Sequence, residues 1–172
     1  MKNLLLLACT FFPSTLRLFI WKILGFKVGK KTHVSIFTIV VADFIAIESG
    51  SSIDVLSFIY RPSSLQIGKR VRVASFVRII GRGGEIKLGS QSFVGLGCLI
   101  DSSGGFITGT RSVISPRTLI YSHGSSALSF NVKYPHRFGP DTIGEDSWNG
   151  MGCIIFPNVN IGKNVIIYPG SR

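Results

Sequence analysis

Acidic side chains are what this chain has least of. Eight Asp and Glu stand against 19 Lys and Arg over 172 residues, a formal net charge of +11 at neutral pH. No acid falls in the first 31 residues, which carry Lys2, Arg17, Lys22, Lys27, Lys30 and Lys31. A second basic stretch holds Arg61, Lys69, Arg70, Arg72, Arg78, Arg82 and Lys87, with Glu85 the single acid inside it. This asymmetry points to an anionic partner, namely phospholipid, nucleic acid or a phosphorylated ligand; for the second stretch a merely solvated flank is the alternative. No helix-turn-helix, finger or aromatic sheet motif accompanies the charge, which argues against nucleic acid.

Cysteine is scarce too. Cys9, Cys98 and Cys153 are odd in number and too widely spaced for a metal site, so neither a disulfide framework nor a metal is implied. They read as free, mostly buried thiols in a reducing compartment, which places the protein in the cytoplasm. Histidine occurs three times, at His33, His123 and His136, so any imidazole chemistry has few places to sit. The length is that of one domain with a continuous core.

What the chain does have is a repeat. Coils open at Val28-Gly29, Ile47-Glu48, Ile67-Gly68, Leu88-Gly89, Ile107-Thr108, Ile143-Gly144 and Ile161-Gly162, in steps of 19, 20, 21, 19, 36 and 18 residues. Each ordinary step fits three hexads with up to three spare residues. A fixed period of this kind is the signature of a solenoid. Alternating strand residues point to opposite faces, so one hexad supplies a short strand and a corner, and three close a triangular coil. The expected inward columns are Val28, Val34, Val40, Ile47, Ile53, Ile59, Ile67, Val73, Ile79, Leu88, Val94, Ile100, Ile107, Val113 and Leu119. Spacing does not give the hand of the coil. The step of 36 marks a loop inserted at about 124–142, and insertions in solenoids often build the binding face.

Before the repeat, residues 1–27 form a separate apolar and basic segment. Leu4 to Leu7 with Ala8-Cys9 superficially resembles a lipoprotein signal, but the apolar core is short and a repeat follows at once. Leu16, Phe19, Ile20, Ile23 and Leu24 recur at helical spacing, with Arg17 and Lys22 off that face, between a start at Pro13-Ser14 and a stop at Gly25. The expectation is an amphipathic helix that caps the solenoid and contacts the inner face of the cell membrane peripherally. A true span through residues 4–24 is the alternative.

The stretch Ile143-Gly144-Glu145-Asp146-Ser147-Trp148-Asn149-Gly150-Met151-Gly152-Cys153-Ile154-Ile155-Phe156-Pro157-Asn158-Val159-Asn160-Ile161-Gly162 resembles the closing coils of hexapeptide-repeat acyltransferases, in particular the sugar and polysaccharide O-acetyltransferases. The resemblance covers about 28–172. It implies an all-β solenoid, a left-handed parallel β-helix, assembled as a homotrimer with active sites between neighbouring prisms. It also implies acetyl-CoA as acyl donor and a sugar or lipid-linked saccharide as acceptor, in capsule, lipopolysaccharide or exopolysaccharide biosynthesis.

In that family a histidine at the strand end before the loop is the catalytic base, and here Leu119-Ile120-Tyr121-Ser122-His123-Gly124 supplies His123. A sugar hydroxyl does not ionise at neutral pH, so its attack on a thioester needs a base that titrates there. A surface histidine at a turn is the plain alternative. His136, in the loop, is expected to contact substrate. Asp101, one coil earlier, either binds a sugar hydroxyl, orients a basic group or is a solvated corner residue. His33 reads as structural. The resemblance lays Trp148, Gly150 and Gly152 along the path of the CoA, with Lys163 or Arg172 meeting its phosphates; corner packing is the other reading of Trp148.

Three departures qualify the match. Leu96 to Cys98 stand where relatives acting on maltose carry an Asn, so a different acceptor is expected. Asn149 occupies a normally inward Ile position. The sequence stops at Tyr168–Arg172, partway through a coil, so the alternative is a truncated or impaired enzyme serving as a trimeric scaffold.

Overall fold

The computed structural model describes residues 2–81, 83–124 and 137–172. Helix α1 (Lys2–Ala8) runs into a 3₁₀ turn, Cys9–Phe11, and helix α2 (Ser14–Ile23) follows Pro13. From Lys27 the chain winds about six turns of a left-handed parallel β-helix, as the repeat and the family resemblance imply. Three parallel sheets form its faces, here A, B and C. The first coil contributes Lys27–Val28 to A, His33–Val34 to B and Ile39–Val41 to C, and each later coil stacks on it.

The columns follow the hexad register through four coils. Val34, Ile53, Val73 and Val94 on face B, and Val40, Ile59, Ile79 and Ile100 on face C, are all buried. Each such side chain withdrawn from water stabilises the fold by roughly 1.5–3 kcal/mol. The next coil departs from expectation by one residue. Thr108, not Ile107, pairs in the column of Leu88 and Ile143, and Ile114 and Ile120, not Val113 and Leu119, point inward. A slip of one residue exchanges the faces of a strand. The polar Thr108 disguised its column, and its inward hydroxyl is satisfied by the Gly89 N–H at 3.1 Å. The surer marker was the glycine after it: a Cβ on Gly109 would run into the backbone of Gly144-Glu145 on the coil above.

Two of the corners close through backbone in the left-handed region, one residue per turn. The A–B corner places Lys31, Gly50, Arg70, Gln91, Arg111, Asp146 and Asn164 there; the B–C corner uses Phe37, Leu56, Phe76, Gly97, Arg117, Gly152 and Gly170. The corners therefore differ in chemistry. A–B is charged, B–C exposes a ridge of Phe37, Leu56, Phe76, Leu96 and Met151, and C–A carries the inserted segment. The linear cluster of cations is dispersed by the winding: Arg61 lies at the C–A corner, Lys69 and Arg70 at A–B, Arg72 on face B, Arg78 on C and Lys87 on A. Arg82 lies outside the described residues. The second basic stretch is thus no single patch.

Helix α2 begins and ends where expected, with Gly25 at φ 85° beyond it. Its orientation differs. Arg17 and Trp21 face the solenoid and are buried, while Leu16, Phe19 and Ile23 face outward. The reason is the set of carbonyls at the solenoid's first coil. Arg17 donates to Cys9 O (2.8 Å), Ser35 O (3.1 Å) and Thr38 O (3.0 Å), joining the helical segment to the repeat. Burial holds the guanidinium pKa below its ordinary value. Residues 4–24, read alternatively as a span, are divided between α1 and α2 of 7 and 10 residues, whereas a crossing helix takes about 20. Among the described residues no helix is long and apolar enough to cross a membrane.

Candidate active site

The C–A corner of the coil before the insertion is built from two strand ends. Leu99–Asp101 and Leu119–Tyr121 pair in parallel on face C, with Asp101 opposite Tyr121. Asp101 O accepts from the Ser122 N–H at 3.2 Å. Ser122 is buried, and its hydroxyl accepts from the Gly104 N–H at 2.7 Å, so the corner is held from both coils. His123 follows and pairs with Phe138 in a short antiparallel ladder, Gly124 with Arg137. The insertion thus leaves and rejoins the coil at a two-residue antiparallel ladder that includes His123. The coil resumes on face A with Asp141–Ile143, paired to Phe106–Thr108.

Stacking brings Asp101 and His123 together. Nδ1 of His123 lies 2.5 Å from Oδ2 of Asp101, whose other oxygen accepts from the Ser103 N–H at 2.8 Å. The Asp101 side chain is about 15% exposed and that of His123 36%. A carboxylate can only accept, so with an N–H at Nδ1 facing Asp101 the imidazole would carry its lone pair on Nε2. An imidazole so arranged could take a proton at Nε2 from a weakly acidic O–H or N–H group, and a carboxylate at Nδ1 would stabilise the cation formed. Asp101 thus stands against His123 and is not a solitary corner residue.

A second acid, absent from the sequence-derived set, lies near enough for the charge of Asp101 to act on it. Asp141 is fully buried in a column otherwise filled by Phe26, Ile45, Leu65, Ile86 and Phe106. Its Oδ1 accepts the Val159 N–H at 3.0 Å, and Oδ2 has no hydrogen-bond partner among the described residues. Burial pushes its pKa up to about 6; N–H groups of Val159 and Asn158 oppose this, and the charge of Asp101 adds to it. The available signal was an acid in the position of an inward apolar residue immediately after the insertion.

The remaining expected site residues do not converge on His123 within one chain. Trp148 stands half-exposed on face B, its indole N–H donating to Ser115 Oγ at 2.8 Å. Gly150 and Gly152 lie at the B–C corner with structural reasons of their own: a Cβ on Gly150 would meet Pro169, and Gly152 turns at φ 69°. Lys163 is exposed at the A–B corner, 3.7 Å from Glu145. Glu145 and Asp146 also bind Arg111. Arg172 ends the chain beyond these coils. His136 lies outside the described residues. The cysteines are buried and unbridged, and burial pushes the Cys98 thiol up to about 11, as befits a packing role.

No family model matches the sequence. The fold is shared with AntD, an N-acyltransferase from Bacillus cereus. One structure of that enzyme, with dTDP and 3-hydroxybutyryl-CoA, aligns at a TM-score of 0.57 and 22% identity over 88% of this chain and 74% of that one. A serine-to-cysteine variant of AntD, with dTDP-4-amino-4,6-dideoxyglucose and coenzyme A, aligns at 0.57 and 20% identity over 89% and 75%. At this identity the likeness establishes a common architecture.

Proposed function

We propose that the protein is an acyltransferase that moves acetyl from acetyl-CoA to a hydroxyl of a sugar or lipid-linked saccharide, with His123 as general base and Asp101 as its positioning residue. The observation that carries the reading is the Asp101–His123 pair where the insertion leaves the coil. In the proposed step the acceptor oxygen attacks the thioester carbonyl carbon as its proton passes to Nε2 of His123. The tetrahedral intermediate collapses with cleavage of the C–S bond. The imidazolium returns the proton to the departing sulfur, giving an ester and free CoA thiol. Backbone N–H groups at the corner would stabilise the oxyanion.

The reading includes a homotrimer. Trp148, Gly150, Gly152 and Lys163 lie on other faces of the prism from His123, so they can line the same cleft only across neighbouring copies. The exposed B–C ridge is an apolar surface suited to such a contact. A second reading is favoured by what AntD binds: its complexes hold a longer acyl-CoA and an amino sugar nucleotide. The same imidazole would serve an amine acceptor equally well.

The test is thiol release from acetyl-CoA and 3-hydroxybutyryl-CoA against panels of hydroxyl and amino sugars. The expected result is acceptor-dependent release that falls about 10²–10⁴-fold in His123→Ala and less in Asp101→Asn, with folding unchanged. Full activity in His123→Ala overturns the assigned base. Release with amino sugars alone selects the second reading. No release with any acceptor, together with no CoA binding by calorimetry, selects a trimeric scaffold.

A further inference from the structure

Soluble helices turn polar residues to water and apolar ones to the core. Helix α2 departs from this pattern. Its inward side holds Arg17 and Trp21, each about 1% exposed, while Phe19 is 61% and Ile23 71% exposed beside Leu16. The preceding segment repeats the arrangement, with Leu4, Leu7 and Phe11 exposed at i, i+3 and i+7 and Leu6 and Cys9 buried. Phe11 meets Phe37 of the first coil edge-on, ring centroids 6.1 Å apart, so the apolar surface continues onto the solenoid. An outward surface with this much apolar area on a small domain marks an interaction site.

Charge identifies the partner. Lys22, Lys27, Lys30 and Lys31 are exposed on the same end of the chain, and the first acid in the sequence is Asp43. An apolar stripe flanked by lysines, on helices too short to cross, suits the plane of an anionic membrane. Glu48 of the next coil lies beside Lys27, so the four exposed lysines are offset only in part and this end stays basic.

We propose that residues 4–31 form an interfacial docking surface that seats the protein on anionic phospholipid, with Leu4, Phe11, Leu16, Phe19 and Ile23 entering the headgroup boundary. Arg17 is the internal anchor that holds this face outward, a role unlike the surface charge its sequence position implied. The proposal stands independently of the acyl-transfer reading.

The experiment is flotation of the full chain with phosphatidylcholine vesicles, with and without phosphatidylglycerol. The wild type should float with the anionic vesicles and be released by salt. Phe19→Glu combined with Ile23→Glu should abolish flotation, and Lys27→Glu, Lys30→Glu and Lys31→Glu together should weaken it more than tenfold, since each lysine near the surface contributes roughly fivefold. All these side chains are exposed, so circular dichroism should stay unchanged. Absence of wild-type flotation, or equal binding to neutral and anionic vesicles, overturns the proposal. So does a loss of oligomer mass by light scattering in the Phe19/Ile23 variant without loss of flotation, which would assign the surface to a second copy.

Discussion

The coils before residue 101 and those after it use the same unit but differ in their cores. In the earlier coils the inward strand positions are Val, Ile and Leu with Phe26, and the buried polar groups are small hydroxyls such as Thr38, Ser51 and Ser57. In the later ones Thr108, Asp141 and Asn149 take inward positions, with progressively fewer partners. The Thr108 hydroxyl is satisfied, Asp141 is satisfied at one oxygen, and neither amide atom of Asn149 has a hydrogen-bond partner among the described residues. Unpaired buried polar groups cost stability. The regular half is filled at its strand positions by apolar side chains, whereas the half around the insertion places polar ones there.

The sharpest break in this comparison is a cavity in the regular half. Ile79→Ala should lower unfolding free energy by about 2–5 kcal/mol, read from urea midpoints. The same change at Ile155, at the less enclosed end, should cost less. Equal losses would show that the two halves share one uniform core.

Asp141→Asn tests the buried acid. With a folded pKa of about 6 against an ordinary 3.8, the native state holds the proton where the unfolded state has lost it. Stability therefore falls as pH rises from about 4 to about 6, by up to about 3 kcal/mol. The Asn variant keeps the acceptor for Val159 and should flatten that slope; an unchanged slope would place the titration elsewhere.

The smallest effect is expected at Asn149. Asn149→Val restores the apolar column of Val94 and Ile114 and should stabilise the fold by about 1–3 kcal/mol, seen as a raised thermal midpoint. A loss instead would reveal a partner for the amide.

Most of the architecture was legible because it is periodic. The column from Val34 to Val94 and the corner glycines recur at a fixed step, and His123 is recognisable as the last residue before the step breaks. The fifth coil was misread where Thr108 replaced an aliphatic residue, since hydrophobicity alone cannot register a polar inward side chain. Asp101 was left with three readings because 22 residues of sequence separate it from His123, and only stacking shows that they are neighbours.

The sequence by itself determined the solenoid, its period, the place of the insertion and the isolation of His123 beside it, since each depends on local alternation of apolar, small and polar residues. Only the tertiary structure decided which carboxylate meets the imidazole and which side of α2 faces inward. A carboxylate's partner depends on the register between coils. The helix turns its arginine inward because the carbonyls of Cys9, Ser35 and Thr38 converge there once the chain has wound.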